Sequence, residues 1–200
     1  MKKSDFYFDL PKERIAQYPA ARGESRLLAL KRASGQISQH TVKELPALIE
    51  SGSLLVFNDS RVRRARVFGM DSRGKETEFL LLNPVKSPET WAVIVKKAVK
   101  KLGARFRFAR ETEAETEAEL EDAGEDGFVL RFDKRIDDVW LDKHGHIPLP
   151  PYIKRADESA DANRYQTIYA RDHGSSAAPT AGLHFTDAIL SDLKERGIET

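Results

Sequence analysis

The chain has no cysteine among its 200 residues, which excludes disulfides, thiolate metal sites and a cysteine nucleophile. That usage fits a reducing cytoplasm, the compartment expected for this protein. No apolar run approaches the length of a membrane span, and the opening MKKSDFYFDLPKE lacks the apolar core of a signal sequence, so no membrane partner is expected. No two glycines stand in a GxG arrangement and no Walker-type lysine loop occurs, which argues against a dinucleotide-binding enzyme or a P-loop NTPase. A Gly-x-Ser-x-Gly elbow is also missing, which disfavours a hydrolase. A large net charge is lacking too, at +1, but the neutrality is a cancellation. From Trp91 to Arg110 the charges are Lys96, Lys97, Lys100, Lys101, Arg105, Arg107 and Arg110, with no acid, while Glu111 to Asp126 carries only acids.

What is present bounds the fold. A hydrophobic content of 40% suffices for a core, and 32% charged residues give a solvated surface. In the first sixty residues a short helix is expected over Lys12–Gln17, and Arg26–Lys31 with Gln36–His40 reads as a hairpin turning at Ala33-Ser34-Gly35. Thr41 and Glu44 have capping-box spacing, but Pro46 would fall too deep in a helix begun there, so the helix is placed from Leu45 to about Glu50. The unalternating run Leu54-Leu55-Val56-Phe57 predicts a strand buried on both faces. From Arg61 to about Lys143 six short segments recur between turns: 66–70, 78–82, 91–95, 105–108, 113–120 and 128–132. Regular short strands with few helical signals predict a small antiparallel barrel. Arg105 and Arg107 alternate with Phe106 and Phe108, and Glu111 to Glu121 alternates as well. If the two strands pair, arginines face glutamates across the ladder. Leu149-Pro150-Pro151-Tyr152-Ile153 then returns the chain as a stiff extended connector, and 160–169 reads as a loop with a short helix. The expected fold is mixed α/β, with residues 61–149 inserted as a barrel between 1–60 and 150–200.

Three groups of residues offer chemistry. Asn58-Asp59-Ser60-Arg61 follows the apolar run, at the kind of strand end where ligands gather in α/β sheets. Asn58 and Asp59 suit hydroxyls or an amine and Arg61 an anion, although an Asx turn explains the same residues. Arg61, Arg63, Arg64 and Arg66 form a basic cluster, and Tyr152, Lys154, Arg155, Arg164 and Tyr165 mix cations with aromatic planes in a way that suits RNA. The third group is Ala177-Ala178-Pro179-Thr180-Ala181-Gly182-Leu183-His184-Phe185-Thr186, small residues leading into a helix capped by Thr186 and ended at Gly197. Such a loop lets a ligand approach backbone closely, and an ordinary strand-to-helix connection is the alternative. His144-Gly145-His146 has no paired carboxylate motif, so no metal site is expected.

Five strings stand in one order: Ser25-Arg26-Leu27-Leu28, Leu54 through Val62, Gly145 through Ile153, Arg164 through Ala170 and Ala178 through Thr186. Together they resemble the S-adenosylmethionine:tRNA ribosyltransferase-isomerases of queuosine biosynthesis, across the whole chain and least in the barrel segment. The resemblance implies a cytoplasmic enzyme with two partners, S-adenosylmethionine and a tRNA carrying 7-aminomethyl-7-deazaguanine at the wobble position. The donor gives its ribosyl part and is consumed, so no resident cofactor is implied; epoxyqueuosine-tRNA, adenine and methionine result. His184 and Asp59 are the catalytic candidates, His184 because an imidazole titrates near neutrality, with an orienting histidine bonded to backbone as its alternative. Asn58, Arg61, Thr180, Gly182, Arg164 and Tyr165 are the candidates for binding substrate. Ser60 stands where the family usually has Thr, which keeps the hydroxyl. The resemblance also implies a further strand, a glycine-rich turn and helices after Ile198-Glu199-Thr200. The α/β catalytic domain is therefore expected to be incomplete at its C-terminus, with little transferase activity alone and an exposed sheet edge. A full-length monomer is expected. The competing class is a non-catalytic RNA-binding adaptor that uses the basic barrel.

Overall fold

The computed structural model describes residues 2–95, 102–108, 116–124 and 127–200, except the side chains of 122–124 and 173. Near the N-terminus a 3-10 turn, Lys12–Arg14, stands where the longer helix was expected. Strands β1 (Arg26–Lys31) and β2 (Gln36–Thr41) form the expected hairpin, with Leu30 opposite Ile37. The conflict between the Thr41–Glu44 spacing and Pro46 is resolved by splitting the helix. The Glu44 carboxylate accepts hydrogen bonds from the Thr41 amide and hydroxyl, each 2.7 Å, around a 3-10 turn at Val42–Glu44. Helix α1 (Leu45–Leu48) then begins afresh with Pro46 in its first turn, where a missing N–H breaks no helical bond.

The Leu54–Phe57 expectation requires correction. The segment is extended, but among the described residues its only bridge is Leu54 to Glu199, and burial alternates along it. Leu55 and Phe57 face the core, whereas Leu54 is 65% and Val56 88% exposed. Among the described residues no layer covers the outer side, so the run is buried on one face.

Next, β3 (Arg61–Val62) pairs in parallel with a late strand and lies outside the barrel sheet. The barrel consists of β4 (Arg66–Asp71), β5 (Glu76–Pro84), β6 (Thr90–Val95), β7 (Arg105–Phe108), β8 (Thr116–Gly124) and β9 (Gly127–Phe132). These six strands close in the order β4-β5-β6-β9-β8-β7, every pair antiparallel. Alternation supplies its core: Phe79, Leu81, Val93, Phe106, Phe108, Leu120, Leu130 and Phe132 point inward and are buried. Burying each such side chain contributes about 1.5–3 kcal/mol. The outer faces of β7 and β8 meet as expected, Arg105 opposite Glu119 and Arg107 opposite Glu117. Lys96, Lys97, Lys100, Lys101, Arg110 and the acids at 111, 113 and 115 lie outside the described residues.

Helix α2 (Asp138–His144), absent from the sequence expectations, follows the last barrel strand. Asp137 caps it by accepting from the Trp140 amide. Its buried Trp140 and Leu141 join the barrel core, where the indole N–H of Trp140 donates to Thr116 Oγ1 at 3.2 Å. The chain continues through the proline connector to α3 (Asp161–Arg164), then β10 (His173–Ser175), the partner of β3, and a 3-10 turn at Thr180–His184. Helix α4 (Asp187–Glu195) begins as expected, with Thr186 Oγ1 accepting from the Ile189 amide, and Gly197 follows at φ +72°. Ile189 and Leu193 bury its apolar face in a second core with Val42, Phe185 and Ile198.

Candidate functional site

The Thr180–His184 turn is positioned by what packs beneath it. Phe57 stacks on Tyr169 at 4.8 Å and meets Phe185 edge-on at 4.9 Å, fixing the end of the turn to the second core. Gly182 rests against this cluster. A Cβ there would lie 2.3 Å from the Tyr169 hydroxyl oxygen and 2.7 Å from Thr167 Cγ2. Glycine is thus a close-packing residue at this position, and it lies behind the cavity wall.

Two arginines fasten the turn from the other side. Arg22 donates to the carbonyls of Leu183 at 3.0 Å, Gln166 at 2.6 Å and Asn163 at 3.2 Å. Arg164 donates to the same Leu183 carbonyl at 3.2 Å and to that of Ala20 at 2.7 Å. Among the described residues neither guanidinium has a carboxylate partner. Burial lowers the pKa of both, and for Arg22 the Arg164 charge lowers it further. The Gln166 side chain extends the lattice by bonding both backbone groups of Val62, its amide oxygen to N–H at 2.9 Å and its amide nitrogen to C=O at 2.7 Å. Arg22 was missed by the sequence reasoning, because nothing around an isolated arginine signals that it will reach carbonyls 140 residues away.

A cavity of about 410 Å³ opens beside this lattice. Thr180, Leu183 and His184 from the turn, Arg164 and Tyr165 from α3 and its end, Leu149, Pro150 and Ile153 from the connector, and residues 16–20 line it. His184 is half-buried, and no described residue hydrogen-bonds its ring, so both imidazole nitrogens are open to a ligand. Burial raises the Tyr165 phenol pKa, partly offset by a hydrogen bond with the Ala178 backbone, so the hydroxyl stays protonated at neutral pH. Arg155 and Asp161 form a two-point ion pair at 2.7 and 2.8 Å, and the guanidinium also lies 4.4 Å from the Tyr18 ring centre. This pair holds the connector against α3. The resulting space has apolar walls, one unpaired imidazole and the unpaired charge of Arg164, a set suited to a small molecule with an apolar body and an anionic end.

Four of the eight sequence candidates, Thr180, His184, Arg164 and Tyr165, are therefore brought together. Asn58, Asp59 and Arg61 do not line this cavity. Asn58 Oδ1 accepts from the Ser60 amide at 2.9 Å, the Asx turn, and Asp59 pairs with Arg171 at 2.9 Å. Arg61 is exposed on β3, beside the β10 partner strand. The basic cluster is likewise dispersed: Arg63 bonds Asp138, Arg64 bonds the Gly145 carbonyl, and Arg66 lies beside Glu78 and over Phe68. The two histidines of His144-Gly145-His146 are separately engaged. His144 stacks on Trp140, and His146 Nδ1 bonds Asp157 at 2.9 Å.

A closed six-stranded antiparallel barrel joined to a mixed α/β frame, with His184 in the wall of a cavity beside the connector, defines the class of protein. A family model described as queuosine biosynthesis protein matches residues 3–200, and the chain belongs to that family. It is 47% identical to the S-adenosylmethionine:tRNA ribosyltransferase-isomerase of Treponema denticola, with all of this chain and 58% of that protein aligned. It is 46% identical to the enzyme of the same name from Citrifermentans bemidjiense, covering 98% of this chain and 58% of that one. The chain thus spans under two thirds of the length of these curated relatives. A solved S-adenosylmethionine tRNA ribosyltransferase from Thermotoga maritima aligns at 28% identity and a TM-score of 0.37, covering 98% of this chain and 55% of the other.

Proposed function

We propose that this chain forms the donor-side part of an S-adenosylmethionine:tRNA ribosyltransferase-isomerase acting in the cytoplasm. Residues 1–60 and 150–200 would make the catalytic unit, with 61–149 inserted. The observation that carries this is the cavity in which Thr180, His184, Arg164 and Tyr165 converge, in a chain whose whole length aligns with 58% of an enzyme of that name. The donor is a substrate that is consumed, and the acceptor is the amine of 7-aminomethyl-7-deazaguanine in tRNA. Removal of a proton beside the sulfonium leaves a carbanion stabilised by the positive sulfur. Adenine departs and takes up a proton, the acceptor amine forms its bond to the ribosyl carbon and loses a proton, and the ring closes as methionine leaves.

In this assignment His184 transfers the proton, since its ring is unbonded and half-buried at the cavity wall. Tyr165 presents a neutral hydroxyl, and the cation of Arg164 draws the carboxylate end of the donor. Asp59, Asn58 and Arg61 would act from outside the cavity, on the acceptor side. The complete enzyme would work as a monomer.

Calorimetry with S-adenosylmethionine tests the assignment: saturable binding should weaken on Thr180→Ala or His184→Ala. Binding of tRNA indifferent to the donor would instead favour the adaptor class. Mass spectrometry of modified tRNA, for this chain and for one extended at its C-terminus, reports whether turnover needs the additional length found in the relatives.

A further inference from the structure

The donor in this assignment has three parts, and two of them have places: the carboxylate end at Arg164 and the reacting centre at His184. Its flat, neutral base has none. The wall of the same cavity formed by residues 16–20 carries Tyr18, which no step of the reaction has used. This segment is pinned on both sides of the tyrosine. Before it, the Gln17 side chain accepts from the Lys154 amide at 2.6 Å and donates to the Tyr152 carbonyl at 3.3 Å, and the Gln17 carbonyl accepts from Arg155 Nε at 3.0 Å. After it, the Ala20 carbonyl accepts from Arg164 at 2.7 Å. Tyr18 itself is held at two points. Its hydroxyl donates to Glu158 Oε1 at 2.9 Å, and the Arg155 guanidinium, fixed by its two bonds to Asp161, lies over one face of the ring. Yet the residue is 61% exposed. With the hydroxyl committed and one face covered, the surface left open is the other face of the ring.

A ring fixed at its tip and on one face has given up its rotational freedom before any ligand arrives, so stacking on it costs little further ordering. A second cation on the open face is disfavoured, because Arg155 already draws on the negative charge of the ring. The sulfonium is therefore a poor partner for this face, and a neutral planar base is a good one. We propose that Tyr18 is a specificity-determining residue for the donor, the open face of its ring being the platform on which the adenine base stacks. The proposal rests on the ribosyltransferase reading of this cavity. Tyr152 and Ile153 of the connector line the same space and extend the apolar surface beyond the ring. Because adenine leaves as a neutral base, the platform should also bind free adenine, which makes that product a competitor of the donor.

The test is binding of S-adenosylmethionine and of adenine to this chain, by calorimetry and by NMR of the ligand, for wild type, Tyr18→Phe and Tyr18→Leu. Affinity for both ligands should fall about ten-fold or more in Tyr18→Leu, which keeps an apolar side chain without a π-face. Tyr18→Phe keeps the ring and should bind within about five-fold of wild type. Stacking has its own signature: the adenine H2 and H8 resonances should move upfield in wild type and Tyr18→Phe, and not in Tyr18→Leu. Melting temperatures verify the fold. If Tyr18→Leu is destabilised, wild type and Tyr18→Phe still decide, because a base that does not lie on the ring shows no upfield shift in either. The proposal is overturned if wild type binds neither ligand, if Tyr18→Leu binds both within about two-fold of wild type, or if the upfield shifts are absent. Donor binding that weakens in His184→Ala but not in Tyr18→Leu would overturn this assignment and leave the ribosyltransferase reading standing. Adenine binding that needs Tyr18, without any binding of S-adenosylmethionine, would keep the platform and fault the donor reading instead.

Discussion

Replacing Gly182 by alanine probes the packing that holds the His184 turn. The added Cβ would lie 2.3 Å from the Tyr169 hydroxyl oxygen and 2.7 Å from Thr167 Cγ2, against an ordinary contact of 3.4–4 Å. Something must move by roughly 1 Å, and the candidates are poorly placed to do so. Tyr169 is stacked on Phe57, and Thr167 is 5% exposed. Overpacking of this kind destabilises by about 1–3 kcal/mol. For a chain of this size that corresponds to a fall of about 2–12 °C in Tm. Thermal unfolding of wild type and Gly182→Ala measures it directly. A second substitution identifies the cause. Tyr169→Phe deletes the nearest atom, so the double variant should recover about half of the loss, a coupling that a double-mutant cycle isolates. Residual destabilisation from Thr167 should remain. A Gly182→Ala protein melting within about 1 °C of wild type, or a double variant with strictly additive losses, would refute the reasoning.

Arg22→Gln should loosen the same turn from the opposite side, because no shorter side chain spans the Leu183 and Gln166 carbonyls together. Hydrogen exchange at the Gly182 and Phe185 amides should quicken about ten-fold or more, and Arg22→Lys should behave alike, since one ammonium cannot replace the fork. The Asp161 carboxyl is held below its ordinary 3.8, chiefly by hydrogen bonds from Arg155 and then from the Glu158 amide. A depressed folded pKa gives stability that is present above pH 3.8 and lost as pH falls through the folded value. Asp161→Asn should therefore melt lower than wild type at neutral pH, and the gap should close in acid; a gap constant down to about pH 2 would count against the pair. On the barrel exterior, a double-mutant cycle on Arg105 and Glu119, bonded at 3.1 Å, should return only about 0.2–1 kcal/mol, decreasing with salt.

The barrel was legible because its signal is local. Period-two alternation around Phe79, Phe106, Phe108 and Phe132 states which side chains face inward, and a closed sheet satisfies every strand whose side chains alternate that way. Short-range chemistry was legible for the same reason at Thr186 and Gly197, whereas the Thr41–Glu44 box was set aside on account of Pro46 and forms around a 3-10 turn of its own. Helix α2 escaped notice because seven residues with one exposed face carry too little periodicity, and it is the docking of Trp140 into the barrel that stabilises it. The error over Leu54 and Val56 has a similar origin. An apolar run states that burial is favourable, not that a second layer is present.

For the site, the sequence by itself determined the composition of the Pro179–His184 loop, the capped helix after it, the aromatic-basic content of 152–165 and the ordered strings that mark the family. These depend on residue types and spacings within a few positions of one another. The tertiary structure alone decided which of these residues share a cavity. It drew His184, Thr180, Arg164 and Tyr165 together, left Asn58 in its own turn, paired Asp59 with Arg171, and recruited Arg22 across the fold. It also placed the proline connector in the wall of that cavity, against residues 16–20. The physical reason is range: caps, turns and alternation are contacts between near neighbours in the chain, while a cavity is bounded by segments whose proximity only the packed cores enforce.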